Sequence, residues 1–203
     1  PIFVLFMQAR GIDLFQVGVI MGLYSATIVL LELPTGGLAD AIGRKKVAVI
    51  AHTINIAAGA LLFLSFSFWG FLLGMILMGI GRALNSGALD AWYVDSLQAT
   101  EPGIDLQPSL AQAGTVTLLA LGAGTLIGGA LPTLFAGLSG TASPLFTPYS
   151  RTLLASLLLK LLLLVVIVKA VHEQPRIAAA QASWRSGFDS VSMIVGDALH
   201  LTR

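Results

Sequence analysis

Five separate runs of about 20 mostly apolar residues dominate this chain, at 15–37, 47–69, 71–93, 109–136 and 152–171. Each is long enough to cross a hydrocarbon layer of about 30 Å as a helix. The runs are continuously apolar, without the period-two alternation of a barrel strand, so they read as helices. Of the 203 residues, 56% are hydrophobic and only 10% are charged. That is too little charge to keep the chain dispersed in water, which makes lipid its solvent. A net charge of +1 gives no basic face for releasing counterions, so nucleic acid is not a partner. The absence of cysteine removes disulfides, thiolate metal sites and thiol nucleophiles.

The fold class is therefore an all-α membrane protein. The apolar stretch Pro1–Ala9 reads as the last turns of a further, truncated helix, and both ends of the chain read as cut. Glycine is frequent, 22 residues in all, and falls within the spans, as close helix packing in lipid requires. Lysine and arginine set the orientation. Arg44, Lys45 and Lys46 lie between the first and second full spans, and Lys169, Arg176 and Arg185 follow the last. Alternating passes put both clusters on one side, which is expected to be cytoplasmic; Arg10 and Arg151 fall on the other. Trp69, Phe71 and Tyr149 lie near the expected outer boundaries.

Two regions follow from this pattern: a helical bundle over 1–171 and a cytoplasmic segment over 172–203. Residues 173–187 have linker composition. Phe188, Val191, Ile194, Val195, Ala198 and Leu199 then recur at helical spacing, the mark of an amphipathic helix or the lead-in to another span.

The short link between the first two full spans reads Gly36-Gly37-Leu38-Ala39-Asp40-Ala41-Ile42-Gly43-Arg44-Lys45-Lys46. Stop-transfer charge accounts for Lys45 and Lys46 but not for Gly36, Asp40, Gly43 and Arg44 at these spacings. Glycines allow close backbone approach, Asp40 stands at a helix end, and Arg44 can pair with a carboxylate on a neighbouring helix.

This link resembles the signature of the major facilitator superfamily, Gly-x-Leu-Ala-Asp-Arg-x-Gly-Arg-Lys, with Gly36, Leu38, Ala39, Asp40, Gly43, Arg44 and Lys45 in register. Ala41 stands where the family carries a basic residue. The preceding Glu32-Leu33-Pro34-Thr35 is similar to a drug-efflux branch of that family. The resemblance implies twelve helices in two repeated halves, of which this chain is the N-terminal six-helix half, with the other half missing. It implies that the link is a conformational latch on the cytoplasmic face. Asp40 would meet the other half, and Arg44 would pair with Asp95 at the cytoplasmic end of the fourth helix.

Ionisable groups within spans are functional candidates because hydrocarbon penalises charge. Glu32, Arg82 and Asp90 are such groups, with Asn85 and His52 as polar neighbours in sequence. Glu32 lies roughly 12 Å deeper than Asp40 along the same helix. Two readings stay open for it: a carboxylate that binds and releases a proton, or one that ties helix 2 to helix 4 through Arg82. Arg82, Asn85 and Asp90 either face a central cavity, as the family's fourth helix does, or pair structurally. His52 is suited by its ordinary pKa to proton exchange, or is a packed hydrogen-bonding residue. Lys160, near the middle of the last span, reads as a snorkelling side chain.

The run Gly122-Ala123-Gly124-Thr125-Leu126-Ile127-Gly128-Gly129 is not a dinucleotide loop, since no strand precedes it and apolar spans flank it. It reads as a close-packing helix face. It resembles the Gly-Pro-x-x-Gly-Gly pattern of the family's antiporters at Gly124, Gly128 and Gly129, with Thr125 in place of proline.

The expected function is a secondary transporter in the plasma (inner) membrane, exporting small molecules by proton-coupled antiport. Its partners would be the bilayer, a small-molecule substrate, protons and the missing half. The alternatives are an importer or uniporter of a metabolite, or a membrane sensor without transport. No cofactor is implied. Enzyme function is not expected, because no His-Glu-x-x-His spacing or two-metal acidic cluster occurs in the sequence. The orientation is directly testable. A cysteine introduced as Lys46→Cys should react with a membrane-impermeant maleimide from the inside of the cell only, and labelling in intact cells would reverse the topology.

Overall fold

The computed structural model describes residues 2–86, 88–137 and 145–171, apart from the side chains at 33, 34, 36, 37, 40 and 41. The tail helix expected within 172–203 lies outside the described residues. The described chain is helical throughout: α1 (Ile2–Gln8), α2 (Leu14–Ile42), α3 (Arg44–Leu64), α4 (Phe68–Asn85), α5 (Ala88–Thr100), α6 (Leu106–Ala136) and α7 (Pro148–Ala170). Five segments are long and apolar enough to cross a membrane: Leu14–Glu32, Arg44–Leu64, Phe68–Thr100, Leu106–Ala136 and Pro148–Ala170. The third of these comprises α4 and α5.

Local sequence explains where the helices start. Asp13 caps α2 by accepting from the backbone N–H of Gln16 at 2.8 Å, and the Gln16 side chain accepts from the Asp13 N–H at 3.2 Å, a complete capping box. Ser67 caps α4, Asp105 caps α6, and Thr147 followed by Pro148 opens α7. The expected loop 36–46 proves to be almost entirely helical. α2 runs on to Ile42 and α3 begins at Arg44, with Gly43 alone between them at φ 110°. A side chain at that φ would be strained, so the one-residue hinge needs glycine. With 29 residues, α2 is about 44 Å long and so outreaches the hydrocarbon layer.

Two other boundaries differ from the sequence expectation. The second full span ends at Leu64 rather than 69, because Ser65 leaves the helix in extended conformation and Ser67 starts the next one. Trp69 consequently stands in the first turn of α4 and is largely exposed. The third span, expected to end at 93, continues to Thr100.

The helices pack with α3 against α4, α5 and α7, α2 against α4 and α3, and α1 against α7 and α2, while α6 leans on α7. Two cores result. Near the α1–α2 and α3–α4 connections, large side chains meet: Phe6, Met7, Ile12, Val17, Ile20, Leu62, Phe71 and Met75. Near the α2–α3 hinge the core is built on Ala39, Val47, Ala48, Ala51, Leu84 and Ala88, with Ile167 of α7 and Val171 just after it. Small residues bring helix backbones close where no hydrophobic drive separates protein from lipid. Glycine takes this furthest on α4. A Cβ at Gly74 would lie 2.6 Å from Leu62 Cδ2, and one at Gly81 would lie 2.7 Å from Asn55 Nδ2 and 2.9 Å from the Ala51 carbonyl oxygen.

The Ala51 carbonyl is backbone and cannot rotate away. Gly81→Ala should therefore cost about 1–3 kcal/mol through overpacking at the α3–α4 crossing. Gly18→Ala, where nothing lies within 4 Å, should not destabilise. Thermal unfolding in detergent reads both.

Candidate functional site

Two groups of polar contacts stand out, one at the α2–α3 hinge and one beside the junction of α4 and α5. At the hinge, the helical turn that follows Gly43 projects Arg44 towards α5. Its guanidinium forms an ion pair with Asp95 and donates from Nη1 to the carbonyl of Ala91. Ala91 and Asp95 are four residues apart, hence on one face of α5, so a single guanidinium reaches both. The pair is partly open to solvent, with side-chain exposure of 25% for Arg44 and 43% for Asp95. Lys45 turns the other way and donates to the Val168 carbonyl at 2.8 Å, in the last turn of α7. The hinge thus ties α5 to α7 through two adjacent cations. Of the residues expected to form the latch, the structure brings Arg44 and Asp95 together and places Gly43 at the hinge itself. Gly36 and Asp40 lie in the last turns of α2, and the Asp40 side chain is outside the described set.

Beside the α4–α5 junction, Thr35 joins α2 to α4. Its hydroxyl lies 2.9 Å from the Ala83 carbonyl of α4, and 2.7 Å from the Leu31 carbonyl one turn back in its own helix. Ser86 Oγ also donates to the Ala83 carbonyl, at 3.0 Å. Helix-terminal carbonyls lack intrahelical partners, and lipid supplies none. The two hydroxyls meet that need. Among the described residues no ion pair links Glu32 to Arg82 or Arg82 to Asp90. The expected Glu32–Arg82 tie is therefore replaced by Thr35, whose short side chain reaches a backbone acceptor directly.

Glu32, Arg82 and Asp90 are all exposed in this chain. Arg82 lies in the last turn of α4 and Asp90 in the first turn of α5, where each charge complements the nearby helix end. Asn85 Oδ1 is buried with no hydrogen-bond partner among the described residues.

His52 is set apart from this group. It is 9% exposed, inside α3, and its Nδ1 lies 2.9 Å from the Ala48 carbonyl. A carbonyl can only accept, so the proton is on Nδ1. Asn55, one turn on, donates to the Ala51 carbonyl at 3.0 Å and packs against Gly81.

Among the described residues, nothing lies within 4 Å of a Cβ built at Gly124 or Gly129, and Gly128 meets only Ile2 Cδ1 at 4.0 Å, so the described residues do not fill the packing face expected at these glycines. The reason is position: α6 sits at the edge of the bundle and none of its residues is buried.

Sequence reading missed Thr35, Ser86 and Arg10. Thr35 had been noted only as part of a tetrapeptide resemblance. A hydroxyl residue beside an intramembrane proline was the available signal, since a neighbouring carbonyl needs a donor there.

Comparison with known proteins adds the following. The sequence profile of the family described as Major Facilitator Superfamily matches residues 1–199. Over 75 residues the chain is 35% identical to the inner membrane transport protein YajR of Escherichia coli (strain K12). That stretch is 37% of this chain and 16% of the relative's length. No solved structure matches.

The Ala83 carbonyl gives a measurable coupling. Thr35→Val and Ser86→Ala should each cost under about 1 kcal/mol alone. Together they should cost more than the sum, because the same acceptor then loses both side-chain donors. A double-mutant cycle on unfolding midpoints measures this.

Proposed function

The chain belongs to the major facilitator superfamily, and from that premise we propose that it is the N-terminal half of a proton-coupled exporter of small molecules. Membership makes it an integral membrane protein of a transport family. Export, proton coupling, the drug-efflux branch and residence in the plasma membrane are the finer reading. In it the hinge end, with residues 36–46, faces the cytoplasm, as does the segment 172–203.

The observation that carries this reading is the Arg44–Asp95 ion pair beside a single-glycine hinge. A partly solvated pair of this kind is worth little in stability, typically about 0.2–1 kcal/mol. It is correspondingly easy to break and remake, which a switching contact requires. Asp40, three residues before the hinge, would exchange contacts with the second half as the pair opens. Glu32, Arg82 and Asp90, exposed on this half, would line the route between the halves. Glu32 would carry the proton, as an ionisable group within a span. His52, buried against its own helix, would pack rather than carry protons. The uncovered glycine face of α6, with Gly124, Gly128 and Gly129, would meet a helix of the second half.

Charge reversal tests the proposal in the full-length protein, reconstituted in vesicles with a lipophilic fluorescent cation as probe. Arg44→Asp and Asp95→Arg should each reduce pH-gradient-driven dye movement at least about tenfold, and the double swap should recover a substantial part. A swap that restores nothing removes the latch. Dye that equilibrates equally without a gradient makes the protein a uniporter.

A further inference from the structure

The end of the bundle opposite the hinge holds a second cation with a very different setting. Arg10 follows α1, and Nη1 donates to two carbonyls at the end of α3, Phe63 at 2.8 Å and Ser65 at 2.6 Å. The guanidinium carbon lies 3.9 Å from the Phe66 ring centroid and 4.7 Å from that of Phe6, which puts an aromatic ring from each connected element against the cation. Nε and Nη2 are buried with no hydrogen-bond partner among the described residues. Burial holds the guanidinium below its usual pKa range; arginine stays protonated regardless. The surroundings are closely built. Phe6 meets Phe71 edge-on at 5.7 Å, the Phe63 ring meets Phe146 at 6.2 Å, and Ser65 Oγ donates to the Leu61 carbonyl at 2.6 Å.

We propose that Arg10 is the fixed joint of this half: it fastens the exit of α1 to the α3–α4 turn, so that these helix ends move as one body while the hinge end changes its contacts. The acceptors decide this. The exposed pairing of Asp95 with Arg44 is screened by salt. Backbone carbonyls cannot be discharged, and rings covering the guanidinium limit screening. The large-residue core lies beside Arg10 and the alanine-rich core beside Arg44, so packing repeats the same asymmetry. The statement about α1, α3 and α4 stands on geometry alone; the statement about the hinge end rests on the transporter reading.

The test uses the full-length protein in membranes. Ala9→Cys and Leu64→Cys, both at exposed positions, are joined by a short bismaleimide at low and high salt, with and without Asp95→Asn. The cross-linking yield should stay constant across all four conditions. Arg10→Met should lower it at least about threefold and raise deuterium uptake at residues 9–12 and 64–68, as local opening becomes easier. Arg10→Lys, which keeps the charge but not the planar fork, should fall between. A yield that swings about threefold with salt or with Asp95→Asn overturns the joint, as does an Arg10→Met protein with unchanged yield and protection. Unchanged deuterium uptake at 44–48 and 88–98 in Asp95→Asn would sink the latch instead, and the joint is then decided by the Arg10 variants.

Discussion

Backbone carbonyls at helix ends have no partners of their own, and lipid offers none; how this chain supplies them organises everything else. Three helices end on a cation sent from another element or the next helix. Arg10 serves the end of α3, Lys45 the last turn of α7, and Arg151 of α7 the Phe135 carbonyl near the end of α6. A positive charge at a helix C-terminus also opposes the negative end of the helix dipole. The chain has only 11 lysines and arginines. Several of those described therefore act as ties between helices as well as topology signals. Where α4 stops, the hydroxyls of Thr35 and Ser86 perform the same task for the Ala83 carbonyl.

These ties differ in strength because their surroundings differ. At the α1 exit the cation is enclosed by phenylalanines, beside a core of large side chains. At the hinge the cation is paired to an exposed carboxylate beside a core in which four of the eight buried residues are alanine. Small residues permit close approach but interlock little, so sliding or tilting there disturbs few contacts. The two ends of the bundle are thus differently built. The charged residues Glu32, Arg82 and Asp90 are exposed, nearer the hinge end.

Much of this was legible in the sequence, and the reason is the solvent. In hydrocarbon a span must be helical, so apolar length alone located the helices, with errors of a few residues at Leu64 and Thr100. Those errors arose where capping chemistry overrode hydropathy. Ser65 and Ser67 make a turn inside an apolar run, and the helix beyond Asp90 continues on polar residues that a hydropathy reading discards. Gly43 was legible as part of a motif, yet its φ of 110° was not. The helical character of nearly the whole 36–46 link was likewise hidden, because a loop motif and a one-residue hinge share the same letters.

By itself the sequence determined that this is a lipid-embedded helical chain, that its basic residues cluster at one end, and that Arg44 wants a carboxylate. It could do so because these follow from composition along the chain: desolvation penalties act residue by residue. Only the tertiary structure decided which acceptor each donor finds. It gave Thr35 rather than Glu32 the link to α4, gave Arg10 two carbonyls more than 50 residues away, and left the α6 glycines without a close neighbour among the described residues. Such partners are set by how helices lie side by side, and a linear pattern of apolar and polar residues does not contain that distance.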